Sequence, residues 1–181
     1  MATSWSKILV VAALVCTAGI ARAGTPDKDG WVQTGFGVRT KSIAFVSVNV
    51  YEIHHYMKTV PAEHTKHAVI DADVDKKLEF KMMRDVGSEK IRNAFEEGFE
   101  RNGYTNAANI AKFAGAVSGD ELVKGSWVHI TYSAATKAVT IAVDGGSKAT
   151  VTGADFMKAV WSIWFGKFDQ PALALLLIKD M

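Results

Sequence analysis

The sequence has only one cysteine and a net charge close to zero. The single cysteine, Cys16, lies in an apolar N-terminal stretch, so the remainder of the 181-residue chain has no thiol with which to form a disulfide. A fold without disulfides has to be stabilised by its apolar core, and the length suits one domain with a sizeable core. The 21 basic and 19 acidic residues nearly balance, which predicts no overall basic field to attract nucleic acid or anionic lipid.

Long hydrophobic runs are also missing, apart from a short one near the N-terminus. Residues 8–15 are apolar and follow Lys7, and the small residues of Ala21-Arg22-Ala23 come soon after them. The run is shorter than the ~20 residues of a membrane-spanning helix, and this order is typical of a secretory signal peptide. We therefore predict cleavage after Ala23, a periplasmic or secreted protein, and no membrane span in the mature chain.

Beyond the predicted signal, the sequence indicates a polar lead-in at residues 24–31 and a single domain at residues 32–181. Runs rich in β-branched and aromatic residues predict strands, and apolar residues that recur every three or four positions predict helices. The predicted strands are Ile43–Ile53, His67–Asp71, Lys77–Met83, Trp127–Ser133, Ala138–Asp144 and Lys148–Thr152. The predicted helices are Ser88–Gly103 with Ser88 as N-cap, Asn106–Val117, Asp155–Phe165, and a last one with Asp169 as N-cap and Pro171 in its first turn, extending to Ile178.

The order of these elements bears on the fold class. Strands come in runs rather than alternating singly with helices, and short connections join the last three strands as hairpins. This order predicts an α+β fold with an antiparallel sheet, and not a doubly wound parallel one.

The predicted strand Ile43–Ile53 has two different faces. Side chains alternate across a strand, so Ala44, Val46, Val48 and Val50 form an apolar face for the core. The opposite face carries Ser47, Asn49 and Tyr51. Three polar groups on one face predict a surface that meets water or a ligand.

Several motifs that would indicate catalysis or metal binding are absent or incomplete. Gly35-x-Gly37 precedes a strand instead of opening a helix, which excludes a dinucleotide-binding loop. His54 and His55 are adjacent on a strand and point to opposite faces, and the strand-like run after His67 disfavours a helical metal site with His64. The sequence contains no Gly-x-Ser-x-Gly motif. We predict no metal and no cofactor.

Two groups of residues leave alternatives open. Trp161, Trp164 and Phe165 have the spacing of a helix face, which suits either the core or the wall of an aromatic ligand site. Arg39 is either a solvated charge or the anchor for an acid. In the second case its planar guanidinium and the Tyr51 phenol would hold a carboxylate whose apolar tail lies in a cleft.

Four segments resemble the chalcone isomerase-like family, in its bacterial exported branch, over about Val32 to Leu176. They are GFGVRTK, VNVYEIHHYMK, LEFKMMRDVGSEKIRNAFEEGFERN and VTGADFMKAVWSIWFGKFDQPAL. The resemblance implies an open-faced β-sandwich, in which a large antiparallel sheet carries a helical layer on one face and a ligand cleft between them. Plant members of the family either cyclise a chalcone to a flavanone, bind fatty acids without catalysis, or assist flavonoid synthesis non-catalytically.

The resemblance also assigns roles to individual residues. Arg39 matches the arginine that steadies the reacting oxygens in the isomerases and grips a carboxylate in the fatty-acid binders, and Tyr51 matches a tyrosine of the binders. The isomerase asparagine and threonine or serine fall near Ala94 and Ile163, with Asn93 and Ser162 adjacent, and the tyrosine before the long helix has no counterpart. His54 and His55 replace small residues, and a histidine side chain that enters the cleft would narrow it or add a polar group.

These observations together predict a non-catalytic protein that binds a small apolar carboxylic acid, such as a fatty acid. Arg39 and Tyr51 are the expected anchors, and Asn49 is a further polar contact. Two alternatives stay open. One is a chalcone isomerase-type cyclisation or a related isomerase or lyase reaction that uses Arg39, and the other is an envelope protein whose partner is another protein.

Overall fold

The computed structural model describes residues 24–144 and 147–181, so the predicted signal peptide lies outside the described residues. The strands are β1 Val32–Ile43, β2 Val46–Met57, β3 Lys76–Met82, β4 Val86–Gly87, β5 Glu121–Leu122, β6 Trp127–Ser133, β7 Ala138–Val143 and β8 Lys148–Thr152. The helices are α1 Lys66–Asp71, α2 Ser88–Arg101, α3 Ala107–Ala114, α4 Ala154–Phe165 and α5 Pro171–Leu176.

Six of the strands form one open antiparallel sheet in the order β1-β2-β3-β6-β7-β8, and β4 pairs with β5 separately. Helix α4 packs centrally in the helical layer, where it contacts α1, α2 and α5 as well as β7 and β8. Eight of its twelve residues are buried. The α+β fold class with a helical layer on a large antiparallel sheet is therefore confirmed. None of the helices in residues 24–144 and 147–181 combines the length and apolar character that crossing a bilayer requires.

Alternation and helical periodicity predicted most elements to within a few residues. Strands β3, β6, β7 and β8 and helices α2, α3 and α4 all lie where they were expected. Two predicted caps are wrong. Gly87 is the N-cap of α2 and Ser88 is already helical and buried, while Gln170, not Asp169, is the N-cap of α5.

The segment His67–Asp71 is a helix, and its prediction as a strand is wrong. The Thr65 hydroxyl accepts a hydrogen bond from the backbone N–H of Ala68 at 3.1 Å and caps α1. At the other end, the buried Lys76 ammonium donates to the carbonyl oxygens of Val69 at 2.7 Å and Ile70 at 3.2 Å. The segment is helical in spite of its β-propensity for two reasons. These hydrogen bonds satisfy the backbone N–H and C=O groups at the helix ends, and the apolar side of the helix packs against α4.

The first hairpin also differs from the prediction. The residues around Arg39 belong to β1, and the predicted single strand Ile43–Ile53 is interrupted by a two-residue turn at Ala44 and Phe45. Both turn residues have positive φ, 47° and 70°. Two-residue turns of this kind favour Asn-Gly, so Ala-Phe gave no turn signal in the sequence.

A β-bulge in β2 changes which side chains share a face of this strand. Arg39 pairs with Tyr51 and Thr40 pairs with Asn49, so Val50 is the extra residue. An extra residue reverses the alternation beyond it, which places Asn49 on the face opposite to Tyr51. The prediction that Ser47, Asn49 and Tyr51 share a face is therefore wrong.

Candidate ligand-binding site

A cavity of about 470 Å³ lies between the β1–β3 half of the sheet and helices α2 and α4. Aromatic and aliphatic side chains supply most of its wall. They include Val48, Phe80, Met82, Ile91, Phe95, Leu122, Val128, Ile163 and Trp164. A concave apolar space of this size with a few polar groups is the usual form of a small-molecule site.

Arg39 and Tyr51 supply polar groups from the sheet side of the cavity. They are directly opposed residues of the antiparallel pair β1–β2, so their side chains leave the sheet on the same face. Both line the cavity, and the Arg39 side chain is only 9% exposed. The structure thus brings together the two residues that the sequence suggested as anchors.

The guanidinium of Arg39 is held by the segment just before α5. Its Nη2 donates to the Asp169 carboxylate at 2.7 Å and its Nη1 donates to the side-chain oxygen of Gln170 at 3.2 Å. The Phe168 ring lies 4.8 Å from the guanidinium carbon, within cation–π range. Gln170 also accepts from the backbone N–H of Thr40 and donates to the carbonyl of Val38, which ties this segment to β1.

The Tyr51 side chain is held by a residue of helix α4 and by a neighbouring ring on the sheet. Its hydroxyl oxygen accepts a hydrogen bond from the indole N–H of Trp164 at 3.1 Å, and its ring meets Phe80 edge-on at 5.2 Å. Burial raises the pKa of the Tyr51 phenol. The hydroxyl therefore keeps its proton and remains a hydrogen-bond donor.

Donor capacity is left over at this end of the cavity. A guanidinium has five N–H groups, and two of those of Arg39 are used by Asp169 and Gln170. Within the part of the chain that the structure describes, its other three N–H groups and the Tyr51 O–H have no hydrogen-bond acceptor. Such a set of donors matches the oxygens of a carboxylate.

Asn49, the third predicted contact, is in a different place. Its side chain is exposed, and it is not among the residues that line the cavity. The bulge at Val50 explains this position, because it turns Asn49 away while Val50 and Val48 reach the cavity.

Neither histidine of the adjacent pair lines the cavity. His54 lies on the open face of the sheet, stacked on Phe36 at 5.6 Å with its Nε2 2.6 Å from the carboxylate of Glu52. His55 is fully buried in the core and accepts from the indole N–H of Trp161 at 3.0 Å. Neither imidazole therefore narrows the cavity or adds a polar group to it.

The hydrogen bonds of His55 define its charge state. Because the Trp161 indole can only donate, the Nε2 of His55 carries no proton and its Nδ1 donates to the Thr34 hydroxyl at 2.6 Å. The burial of the ring, together with the charge of Lys76, lowers the pKa of His55 to about 3. His55 is thus a neutral structural residue.

The positions that match the isomerase residues are only partly in the cavity. Ala94, Asn93 and Ile163 line it, whereas the Ser162 hydroxyl donates to the carbonyl of Lys158 on its own helix. Of the aromatic residues on α4, Trp164 reaches the cavity, while Trp161 packs in the core.

Sequence reasoning missed the residues that hold Arg39. Asp169 was interpreted as a helix cap, and nothing in the sequence connects it with an arginine 130 positions away. In the described part of the chain, no group of three or more His, Cys, Asp or Glu side chains is arranged to hold a metal ion.

The model of the chalcone isomerase-like family matches residues 18–173, so the chain belongs to this family. Among solved structures, it is similar to the crystal structure of a fatty-acid binding protein from Arabidopsis thaliana. The two share 17% sequence identity with a TM-score of 0.69, over 86% of this chain and 90% of the plant chain. At this identity the likeness shows the shared fold. No curated protein matches the chain in sequence.

Proposed function

We propose that this protein binds a small apolar carboxylic acid in the cavity between the sheet and the helices, without converting it. The observation that carries the proposal is the Arg39–Tyr51 pair, which supplies unused N–H and O–H donors to a cavity whose wall is mostly aromatic and aliphatic. A carboxylate would bind to these donors, and its hydrocarbon tail would lie against Phe80, Phe95 and Trp164.

The family and the fold support this class of ligand. The similar plant structure, which shares the fold, is named a fatty-acid binding protein. The positions near which the isomerases carry an asparagine and a threonine or serine are Ala94 and Ile163, two apolar side chains in this cavity, and Asn93 beside Ala94 is the one polar group of these positions that lines it. An apolar wall suits a hydrocarbon tail better than it suits the polar groups of a chalcone.

The proposal includes export. The N-terminal segment has the order of a secretory signal, and its removal after Ala23 would leave Gly24 as the first residue. Mass spectrometry of the N-terminal peptide, after expression in a Gram-negative host and isolation of the periplasm, tests this. Protein that is retained in the cytoplasm with residues 1–23 attached would contradict it.

Titration calorimetry tests the binding site. We expect dodecanoate to bind the purified protein and dodecanol, which has the same tail without the acid, to bind much more weakly. Substitution Arg39→Ala is expected to weaken dodecanoate binding about tenfold or more, since hydrogen bonds to a charged group are stronger than neutral ones. Equal affinities for the acid and the alcohol would contradict the proposal.

Arg84→Ala provides the matched control. Arg84 is an exposed arginine at the rim of the same cavity, so its removal changes the local charge without touching the anchor. We expect an effect of about twofold, as for screened surface charges. Equal losses in the two variants would assign the binding to the general positive charge of the cavity rather than to Arg39.

A further inference from the structure

The tip of the β1–β2 hairpin presents two apolar side chains to solvent. Phe45 is fully exposed and Val46 is 62% exposed. The strand pairing of β2 with β3 covers only Tyr51–Met57, so the hairpin beyond Val50 extends past the sheet as a two-stranded arm. The tip therefore stands clear of the rest of the domain.

The conformation of this tip is unfavourable for the residues that occupy it. Ala44 and Phe45 both lie in the left-handed region, where glycine and asparagine are preferred and a bulky aromatic residue is rare. The Phe45 side chain gains no packing within the protein in return, because it is fully exposed. An exposed aromatic residue in a strained turn points to a role outside the fold.

The arm also forms part of the entrance to the cavity. Lys41 on its first strand, and Val48 and Val50 on its second, line the cavity. Five basic and three acidic side chains line the same space, and Arg84 and Lys90 are exposed among them. The chain is nearly neutral in total, but basic side chains outnumber acidic ones around the cavity, and one of them, Lys41, is exposed on the same hairpin as the apolar tip.

We propose that the hairpin tip inserts into the surface of an anionic lipid bilayer and brings the cavity entrance against it. Phe45 and Val46 would enter the headgroup–acyl boundary, and the basic side chains at the entrance would lie against the anionic headgroups. The cavity would then exchange its acid directly with the bilayer. This exchange rests on the function proposed above, whereas the membrane contact does not.

The size of the tip favours a bilayer over a protein partner. A stable protein–protein interface covers roughly 800 Å² on each partner, with a packed apolar centre. Two side chains at the end of a narrow arm cannot supply such an area. An interfacial lipid contact requires only a small apolar group and basic residues on the same surface. Here the tip supplies the apolar group, and Lys41 on the same hairpin and the other basic residues that line the cavity supply the charge.

The test uses the double substitution Ala44→Asn/Phe45→Gly in the chain that begins at Gly24. Asn-Gly is the preferred pair for this turn, so the variant should be at least as heat-stable as the wild type while it loses the aromatic ring. In flotation with vesicles of phosphatidylcholine and phosphatidylglycerol, we expect the wild type to bind and the variant to bind about tenfold more weakly. Pure phosphatidylcholine vesicles, or high salt, should weaken binding of the wild type.

Leu175→Ser is the control for general surface hydrophobicity. Leu175 is 58% exposed on α5 and does not line the cavity, so its variant should bind the vesicles like the wild type. Dodecanoate affinity in lipid-free buffer should be unchanged in the tip variant, and this separates the membrane contact from the acid site. Equal vesicle binding by wild type and tip variant, no binding by either, or dimerisation that depends on Phe45 in ultracentrifugation would overturn the proposal.

Discussion

The guanidinium of Arg39 and the carboxylate of Asp169 are joined by a hydrogen bond of 2.7 Å at the polar end of the cavity. Asp169 precedes α5, and its side chain is 44% exposed. The residue that is best placed to bind a ligand carboxylate therefore already holds a carboxylate of the protein. Under the proposed function, an incoming acid would have to share the guanidinium with Asp169 or displace it.

Asp169→Asn should therefore strengthen acid binding. The amide keeps the size of the side chain but removes the negative charge that competes with the ligand. We expect the dissociation constant for dodecanoate to fall about three- to tenfold, as for the loss of one partly exposed charge interaction. Titration calorimetry at moderate ionic strength measures this change.

Asp71→Asn is the matched control for that substitution. Asp71 pairs with Lys158 at 2.7 Å, outside the cavity, so its loss removes a similar ion pair without affecting the ligand site. The dissociation constant of Asp71→Asn for dodecanoate should equal that of the wild type. A weaker affinity in Asp169→Asn would indicate that Asp169 positions Arg39 instead of competing with the ligand.

Tyr51→Phe should affect both affinity and stability. It removes the O–H donor from the cavity and leaves the indole N–H of Trp164 without its acceptor. We expect acid affinity to fall about fivefold and the free energy of unfolding to fall by about 1–2 kcal/mol. Tyr56→Phe is the comparison, since Tyr56 stacks with His54 and does not line the cavity. Equal acid affinities in the two variants would show that the Tyr51 hydroxyl does not contact the ligand.

The two glycines of Gly35-x-Gly37 should differ in their tolerance of alanine. A Cβ atom at Gly35 would overlap the backbone carbonyl oxygen of Leu176, whereas at Gly37 it would lie 2.5 Å from a methyl group of Leu173. Backbone cannot move aside as a side chain can. We expect Gly35→Ala to cost roughly 3 kcal/mol or more of unfolding free energy and Gly37→Ala about 1 kcal/mol. Denaturant titration measures both, and equal costs would contradict this reading of the motif.

Acid should destabilise the protein through His55. Its pKa is about 3 in the native state, compared with 6.5 for an unperturbed histidine. Between these values the unfolded chain binds a proton that the native state does not, so the free energy of unfolding falls as the pH falls. We expect His55 to contribute a loss of about 1.5 kcal/mol between pH 6.5 and about pH 5.

His55→Gln should flatten this part of the stability profile, because glutamine does not titrate and its amide can still accept from Trp161. His64→Gln is the control, since His64 is exposed on the loop before α1. Denaturation curves at several pH values give the comparison. If the slope persists unchanged in His55→Gln, other groups cause the acid sensitivity.

Local patterns predicted the elements whose neighbours in sequence are also their neighbours in space. Strands β6, β7 and β8 form consecutive hairpins, so alternation and short turns were sufficient to place them. The same reasoning failed at α1. Val69 and Ile70 have strand-like side chains, and packing against α4, some ninety positions away, decides their conformation.

The sequence alone determined the fold class, the membership of the chalcone isomerase-like family through its motifs, and the candidate pair of Arg39 and Tyr51. It could not show the bulge at Val50, which turns Asn49 away, because one extra residue in a strand leaves no mark in an alternating pattern. Only the tertiary structure placed Asp169 on Arg39 and enclosed the cavity. Contacts between residues so far apart depend on how the helical layer packs on the sheet, and no local pattern records that packing.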